Sequence, residues 1–224
     1  MGFYWWGMPE YLLDWSAQIL GRGAVFIETG TYRGDSAAQA AATFDRVHTI
    51  ELSQDLAQAA RSRFRGTSVT CHEGDSRELL PEILPDPETP VLLWLDAHYS
   101  GGVTAGHQDR CPVLSELEIV LARRRPGATV IAVDDARCFT GAHGFPAIDD
   151  VVRPLTDAGW HWLLVDDVLV ATADDHLRLL SSLDGRWRTS EAGSIHAVWP
   201  LVRSLSRLYG LSGRLRHRRS GLPG

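Results

Sequence analysis

Residues 24–36 read AVFIETGTYRGDS. A β-branched and aromatic run meets Glu28, then Gly30 and Gly34 bracket Tyr32 before Asp35 and Ser36 begin a helical pattern. A strand that ends in a polar residue and turns at once into a helix is the first half of a βαβ unit. Glycines there let backbone approach a ligand closely, and the helix that follows offers unpaired N–H groups. A tight strand-to-helix turn with no ligand accounts for the same two glycines, so the turn gains weight only from its surroundings. Its spacing is not that of the GxGxxG dinucleotide fingerprint.

The same pattern repeats outward. Strands are expected at 24–28, 46–51, 67–72, 91–95 and 128–133. Helices follow them from about Ser36, from Ser53 to about Phe64, and at 76–84, 112–123 and 147–158. Residues 9–20 read as an N-terminal helix with Pro9 in its first turn. In HWLLVDDVLVA, 161–171, two strands join at Asp166–Asp167 as a hairpin. Residues 174–184 read as helical, and 186–199 as a short strand or covering loop. The expected domain is 1–200, with an Arg-rich extension at 201–224.

A chain of 224 residues, 44% hydrophobic and 22% charged, can bury a sizeable core as one globular domain. All 22 basic residues are arginines, so no lysine can act as base, Schiff-base former or phosphate clamp. Cys71, Cys111 and Cys138 lack CxxC spacing, which reads as reduced thiols in a cytoplasmic protein. No 18-residue apolar stretch, signal peptide or myristoylation signal is present, so a soluble, unanchored protein is expected. The net charge of −6 conceals Arg203, Arg207, Arg214, Arg216, Arg218 and Arg219 near the C-terminus. That tail suits an anionic partner such as nucleic acid, or a solvated chain end; the second is the reading adopted.

Acidic residues recur where the strands stop. Glu51 closes the second strand about 20 residues after the turn, where open α/β folds place a carboxylate on a ribose diol. Asp75, in EGDS, follows the third, where an adenine amino group needs an acceptor. Asp96 ends the apolar run VLLWL, and Asp134–Asp135 end the fifth strand. Neighbouring parallel strands lie about 4.8 Å apart, so these three carboxylates would repel one another unless a cation joined them. An all-oxygen set of this kind suits Mg2+ or Mn2+. Taken singly, Asp96 needs no metal, and Asp134–Asp135 also read as a capping or turn pair.

His98, two residues beyond Asp96, is the expected base, since an imidazole near neutrality can take a hydroxyl proton. Hydrogen bonding within its loop and metal ligation are the other roles open to it. His98, His107 and Cys111 also make three zinc-type ligands, in no recognised spacing. Gly101, Gly102 and Gly106 suggest a lid. His143 stands in a loop near the same rim, and Trp5 and Trp6 serve for a pocket wall, a dimer contact or packing of the first helix, the last being preferred.

Together, IETGTYRGDSA, HTIELS, GDSRELLPEI, WLDAHYS and VIAVDD resemble the class I S-adenosylmethionine-dependent methyltransferases across about residues 24–136. Within them the likeness is to metal-dependent O-methyltransferases related to catechol O-methyltransferase and to macrocin-type sugar O-methyltransferases. The resemblance implies a Rossmann-like α/β sheet of seven mostly parallel strands, order 3-2-1-4-5-7-6, with helices on both faces. It implies that Gly30, Tyr32 and Ser36 hold the methionine part of the cofactor, Glu51 the ribose, and Asp75 and Ser76 the adenine. Glu28 and Gly34 of the same turn, with Asp96, complete the expected cofactor contacts, and Asp96, Asp134 and Asp135 are the implied metal ligands. Catechol-type members have Asp-Asn in place of Asp134–Asp135, and a lysine where Tyr99 stands. The acceptor implied is a small hydroxylated molecule, nearer a natural-product sugar than a catechol. Rival readings are a metal-free methyltransferase, a nucleotide-dependent oxidoreductase and a non-enzymatic module that uses the arginine tail.

Overall fold

The computed structural model describes residues 7–97 and 111–183, all within one compact unit, Met1–Leu183. Its seven strands are β1 (Val25–Thr29), β2 (Arg46–Glu51), β3 (Val69–Glu73), β4 (Val91–Leu95), β5 (Thr129–Val133), β6 (His161–Val165) and β7 (Val168–Thr172). They form one sheet in the order β3-β2-β1-β4-β5-β7-β6. The first five strands pair in parallel; β7 runs antiparallel to both β5 and β6. Central strands β1, β4, β5 and β7 are buried along their whole length, as a sheet covered on both faces requires. Edge strands β3 and β6 are only partly buried.

The pleat sorts the core. Phe26, Val47, Leu92, Trp94, Val130 and Ala132 share one cluster with Leu12 and Trp15 of α1 (Glu10–Leu20), Ala37 and Ala40 of α2 (Asp35–Ala40), Ala60 of α3 (Gln54–Arg63) and Leu177 of α7 (Asp174–Leu183). The alternate residues Ile27, Ile50, Leu93 and Ile131 are buried on the other face. There α4 (Ser76–Ile83) packs on α5 (Val113–Arg123), and α5 on α6 (Ile148–Asp157). The chain walks from β1 out to β3 and returns to β4 on the other side of β1. In open α/β sheets such a reversal marks where ligands bind, outside the carboxyl ends of the strands, here β1 and β4.

The strands expected at 46–51 and 91–95 match β2 and β4 to the residue, and most other ends move by one or two. The third strand begins at Val69 rather than 67 because the Thr67 hydroxyl donates to the Phe64 carbonyl at 2.8 Å, closing the turn after α3. The hairpin turns on Asp166 and Asp167, both left-handed at φ 44° and 70°. The Tyr11 hydroxyl of α1 donates to Asp166 Oδ2 at 2.8 Å and ties the first helix to that turn. The expectations for 186–199 and for the arginine tail lie outside the described residues. Among the described residues no helix is long and apolar enough to cross a membrane.

Candidate active site

The turn after β1 is pressed against the end of β4. Gly30 sits at φ 87°, its N–H donating to the Ile50 carbonyl at 2.9 Å, and a Cβ there would lie 2.5 Å from the Asp96 carbonyl oxygen. Only glycine meets both constraints. At Gly34, the left-handed residue before α2, a Cβ would fall 2.7 Å from the Phe64 ring. Between them Tyr32 is also left-handed, φ 47°, which costs a side-chain-bearing residue about 1–2 kcal/mol. Glu51 offsets that cost: its Oε2 accepts the Tyr32 N–H at 2.8 Å and its Oε1 the Ser53 N–H at 2.9 Å. Each carboxylate oxygen has two lone pairs. The buried Glu51 can therefore hold the turn and still accept from a ligand.

Beneath the turn lies a second buried carboxyl. Glu28 accepts the Thr49 hydroxyl at 2.6 Å, and Thr49 and Thr31 hydroxyls lie 2.5 Å apart. Burial pushes the Glu28 carboxyl up to about 8, against the pull of hydrogen bonds from Thr49 and Ser36; the charges of Glu51 and Asp35 add to the rise. Ser36 is itself buried in the first turn of α2.

After β3 the expected adenine contacts are engaged within the protein. Asp75 caps α4, its Oδ1 accepting the Arg77 N–H at 2.9 Å, while the Arg77 guanidinium grips both carboxylate oxygens. Those hydrogen bonds, against partial burial, hold the Asp75 carboxyl below the usual range. Ser76 is buried and donates to Glu116 Oε1 at 2.5 Å. Glu116, 1% exposed on α5, was missed by sequence reasoning. Its signal was available: Val113, Glu116, Leu117 and Val120 are all buried on one helical stripe, which places a carboxylate on the apolar face. Glu116 lines a small cleft with Leu95, Ala97, Val113, Asp134 and Phe139.

The ends of β1, β4 and β5 are knit side by side, as expected: the Asp96 N–H donates to the Thr29 carbonyl at 3.0 Å, and the Asp134 N–H to the Leu95 carbonyl at 3.1 Å. The carboxylates behave otherwise. Asp134 Oδ1 accepts the Asp135 N–H at 2.7 Å. Asp135 is left-handed, φ 55°, and leads into a single 3-10 turn, Ala136–Cys138. Its carboxylate is ion-paired with the Arg137 guanidinium, which also pairs with Asp167 of the hairpin. The Arg137 N–H donates to Asp167 Oδ1 at 2.7 Å, and the Ala136 N–H to the Asp167 carbonyl at 2.8 Å. Burial works against the Arg137 charge, but Asp167 and Asp135 outweigh it and hold the guanidinium firmly protonated. Burial first, then Asp135, pushes the Cys138 thiol up to about 11, which favours the protonated thiol at neutral pH.

The set expected to bind Mg2+ or Mn2+, Asp96, Asp134 and Asp135, does not fit this arrangement. Among the described residues no group of three or more His, Cys, Asp or Glu side chains is placed to hold a metal ion. The physical reason is that Asp135 already has a covalently tethered counter-charge. His98, His107, the lid glycines, Trp5 and Trp6 lie outside the described residues. His143 is exposed in a left-handed bend, φ 58°.

No model of a known protein family matches the chain, and no curated protein matches it. Solved structures do. A Streptococcus mutans protein described as a methyltransferase, in complex with SAH, superimposes with a TM-score of 0.52 at 13% identity, over 73% of this chain and 97% of that one. The chain has the Rossmann-like methyltransferase fold. A Klebsiella pneumoniae protein described as an O-methyltransferase matches at 19% identity and TM-score 0.49, over 73% and 79% of the two chains. A Staphylococcus aureus protein described as a caffeoyl-CoA O-methyltransferase matches at 17% and 0.47, over 73% and 81%.

Proposed function

We propose that this chain is an S-adenosylmethionine-dependent methyltransferase that methylates a hydroxyl oxygen of a small molecule. The observation that carries the reading is the reversal of strand order between β1 and β4, the place where open α/β sheets bind ligands. A backbone floor that tolerates no Cβ at Gly30 lies beside a buried carboxylate, Glu51, closing the next strand. A flat backbone surface suits the methionine chain of the donor, and a carboxylate with spare lone pairs suits the two hydroxyls of a ribose. The Streptococcus mutans protein of the same fold was solved with SAH, which supports the same class of ligand here.

When bound, S-adenosylmethionine supplies an electrophilic methyl group. The work of the chain is to align an acceptor oxygen with that carbon and to keep water out. In this reading Glu51 accepts the ribose hydroxyls, Gly30, Tyr32, Gly34 and Ser36 hold the methionine end above Glu28, and Asp75 and Ser76 border the adenine. His98 takes the acceptor's proton; with no lysine in the chain, an imidazole is the base best matched to neutral pH. No step is routed through a metal, because Asp135 is paired with Arg137. A sugar hydroxyl is the narrower form of the proposal, carried by the resemblance of VIAVDD to the sugar-modifying relatives.

Calorimetric titration of the full chain tests the reading. S-adenosylhomocysteine is expected to bind one-to-one, and NAD+ not at all. Glu51→Gln weakens binding by roughly 10-fold to 100-fold, the value of losing hydrogen bonds to a charged acceptor. Absence of S-adenosylhomocysteine binding by the wild type, or tighter binding of NAD+, overturns it.

A further inference from the structure

The end of β5 and the β6–β7 hairpin together crowd Asp134, Asp135 and Asp167 at one corner of the rim. Anions this close need a counter-charge, and a divalent ion is the common solution. Here the chain brings its own. We infer that Arg137 is the fixed cation of this rim, taking the place a divalent ion would fill, so that methyl transfer by this chain needs no bound metal.

Three observations carry the inference. First, the one guanidinium is ion-paired with both Asp135 and Asp167, and the Arg137 backbone N–H adds a 2.7 Å bond to Asp167 Oδ1. A metal that claimed Asp135 would have to displace charge-assisted hydrogen bonds, among the strongest a protein forms. Second, Asp135 is held in a left-handed turn between Asp134 Oδ1, which accepts its N–H, and Ala136, whose N–H is bonded to Asp167. The backbone thus sets the carboxylate beside Arg137, whereas Mg2+ demands near-ideal octahedral oxygens. Third, arginine keeps its charge at any physiological pH and loses no translational freedom on arriving, since it is already attached. Arg137 is a positioning residue. It joins the end of β5, and so Asp134 in the cleft wall, to the hairpin.

The catalytic half of this inference rests on the methyltransferase reading; the electrostatic half does not. Mn2+ binding to the full chain, followed by electron paramagnetic resonance, is the readout, with S-adenosylhomocysteine calorimetry run beside it with and without EDTA. Wild type is expected to show no one-to-one Mn2+ site tighter than roughly 1 mM. Its S-adenosylhomocysteine affinity should stay within about twofold on chelation. In Arg137→Gln the released carboxylates are expected to gain Mn2+ affinity by at least about tenfold. One Mn2+ bound per wild-type chain and lost in Asp135→Asn overturns the inference, and needs no folded Arg137 variant. A folded Arg137→Gln that gains no Mn2+ affinity overturns it as well. Failure of S-adenosylhomocysteine to bind at all would instead count against the methyltransferase reading and leave the Mn2+ result standing.

Discussion

The two sides of the rim use carboxylates in opposite ways. On the β1–β2 side, Glu51 accepts the backbone N–H groups of Tyr32 and Ser53, and Glu28 accepts from the Thr49 hydroxyl. On the β5–β7 side, Asp135 and Asp167 share the Arg137 guanidinium. A carboxyl group held by neutral backbone donors, as Glu51 is, keeps lone pairs for a ligand's hydroxyls. A carboxylate held by arginine has its field cancelled before any ligand arrives. On the proposed reading the first side binds and the second holds a shape, although the sequence shows both simply as acids near strand ends.

The largest effect should come from breaking the first side. Gly30→Ala sets a Cβ 2.5 Å from a backbone carbonyl oxygen, which cannot swing aside as a flexible side chain does. The left-handed φ of 87° adds about 1–2 kcal/mol of its own. A loss of about 3 kcal/mol in urea unfolding is expected, with S-adenosylhomocysteine binding abolished in whatever remains folded. Asp135→Asn, on the other side, should leave that binding within about twofold. Equal losses in the two variants would erase the distinction between the sides.

Glu28 sharpens the comparison through pH. Burial pushes its carboxyl up to about 8 in the folded chain, against 4.5 for an exposed glutamate. Between those values the native state keeps a proton that the unfolded chain has released. The contribution of Glu28 is thus fully present below about 4.5 and is lost as pH rises towards 8. Its size is of order a few kcal/mol. Glu28→Gln should flatten the fall in unfolding free energy between pH 5 and 8 relative to wild type, measured by urea titration at several pH values. Parallel curves for the two proteins would show that the buried carboxyl does not hold the proton.

The strands were legible because each is a short apolar run stopped by a polar residue, and because both residues of the Asp166–Asp167 turn tolerate the left-handed backbone the hairpin needs. The tight turn at Gly30 was legible for the same local reason, since its glycines stand where β1 gives way to α2; Glu51 was legible only as an acid at a strand end, and its bond to the Tyr32 N–H, 19 residues away, was not. The pairing of Arg137 with Asp167 was not, for the partners stand 30 residues apart and meet only because β7 folds back beside β5. Three acids at strand ends read as a metal site because the sequence does not show that Asp135 and Asp167 share the Arg137 guanidinium. The Thr49–Glu28 bond spans 21 residues and depends on the β1–β2 register, which no local pattern reveals.

The smallest effect lies off the rim and runs against that of Glu28. His48 Nδ1 and His72 Nε2 are 3.0 Å apart on β2 and β3, with the rings stacked. Partial burial, then His72 and Arg46, lowers the His48 value; partial burial, then Arg61, lowers that of His72. For a depressed base the unfolded chain takes a proton that the folded one refuses. The pair's contribution is present above about 6.5 and is lost as pH falls below it. His48→Gln should reduce the loss of stability between pH 6.5 and 5 by less than about 1 kcal/mol, because both rings remain partly solvated. It should leave S-adenosylhomocysteine affinity unchanged, since the pair takes no part in the Gly30 turn. An altered affinity with unaltered acid sensitivity would mean that the histidines belong to the binding side of the molecule after all.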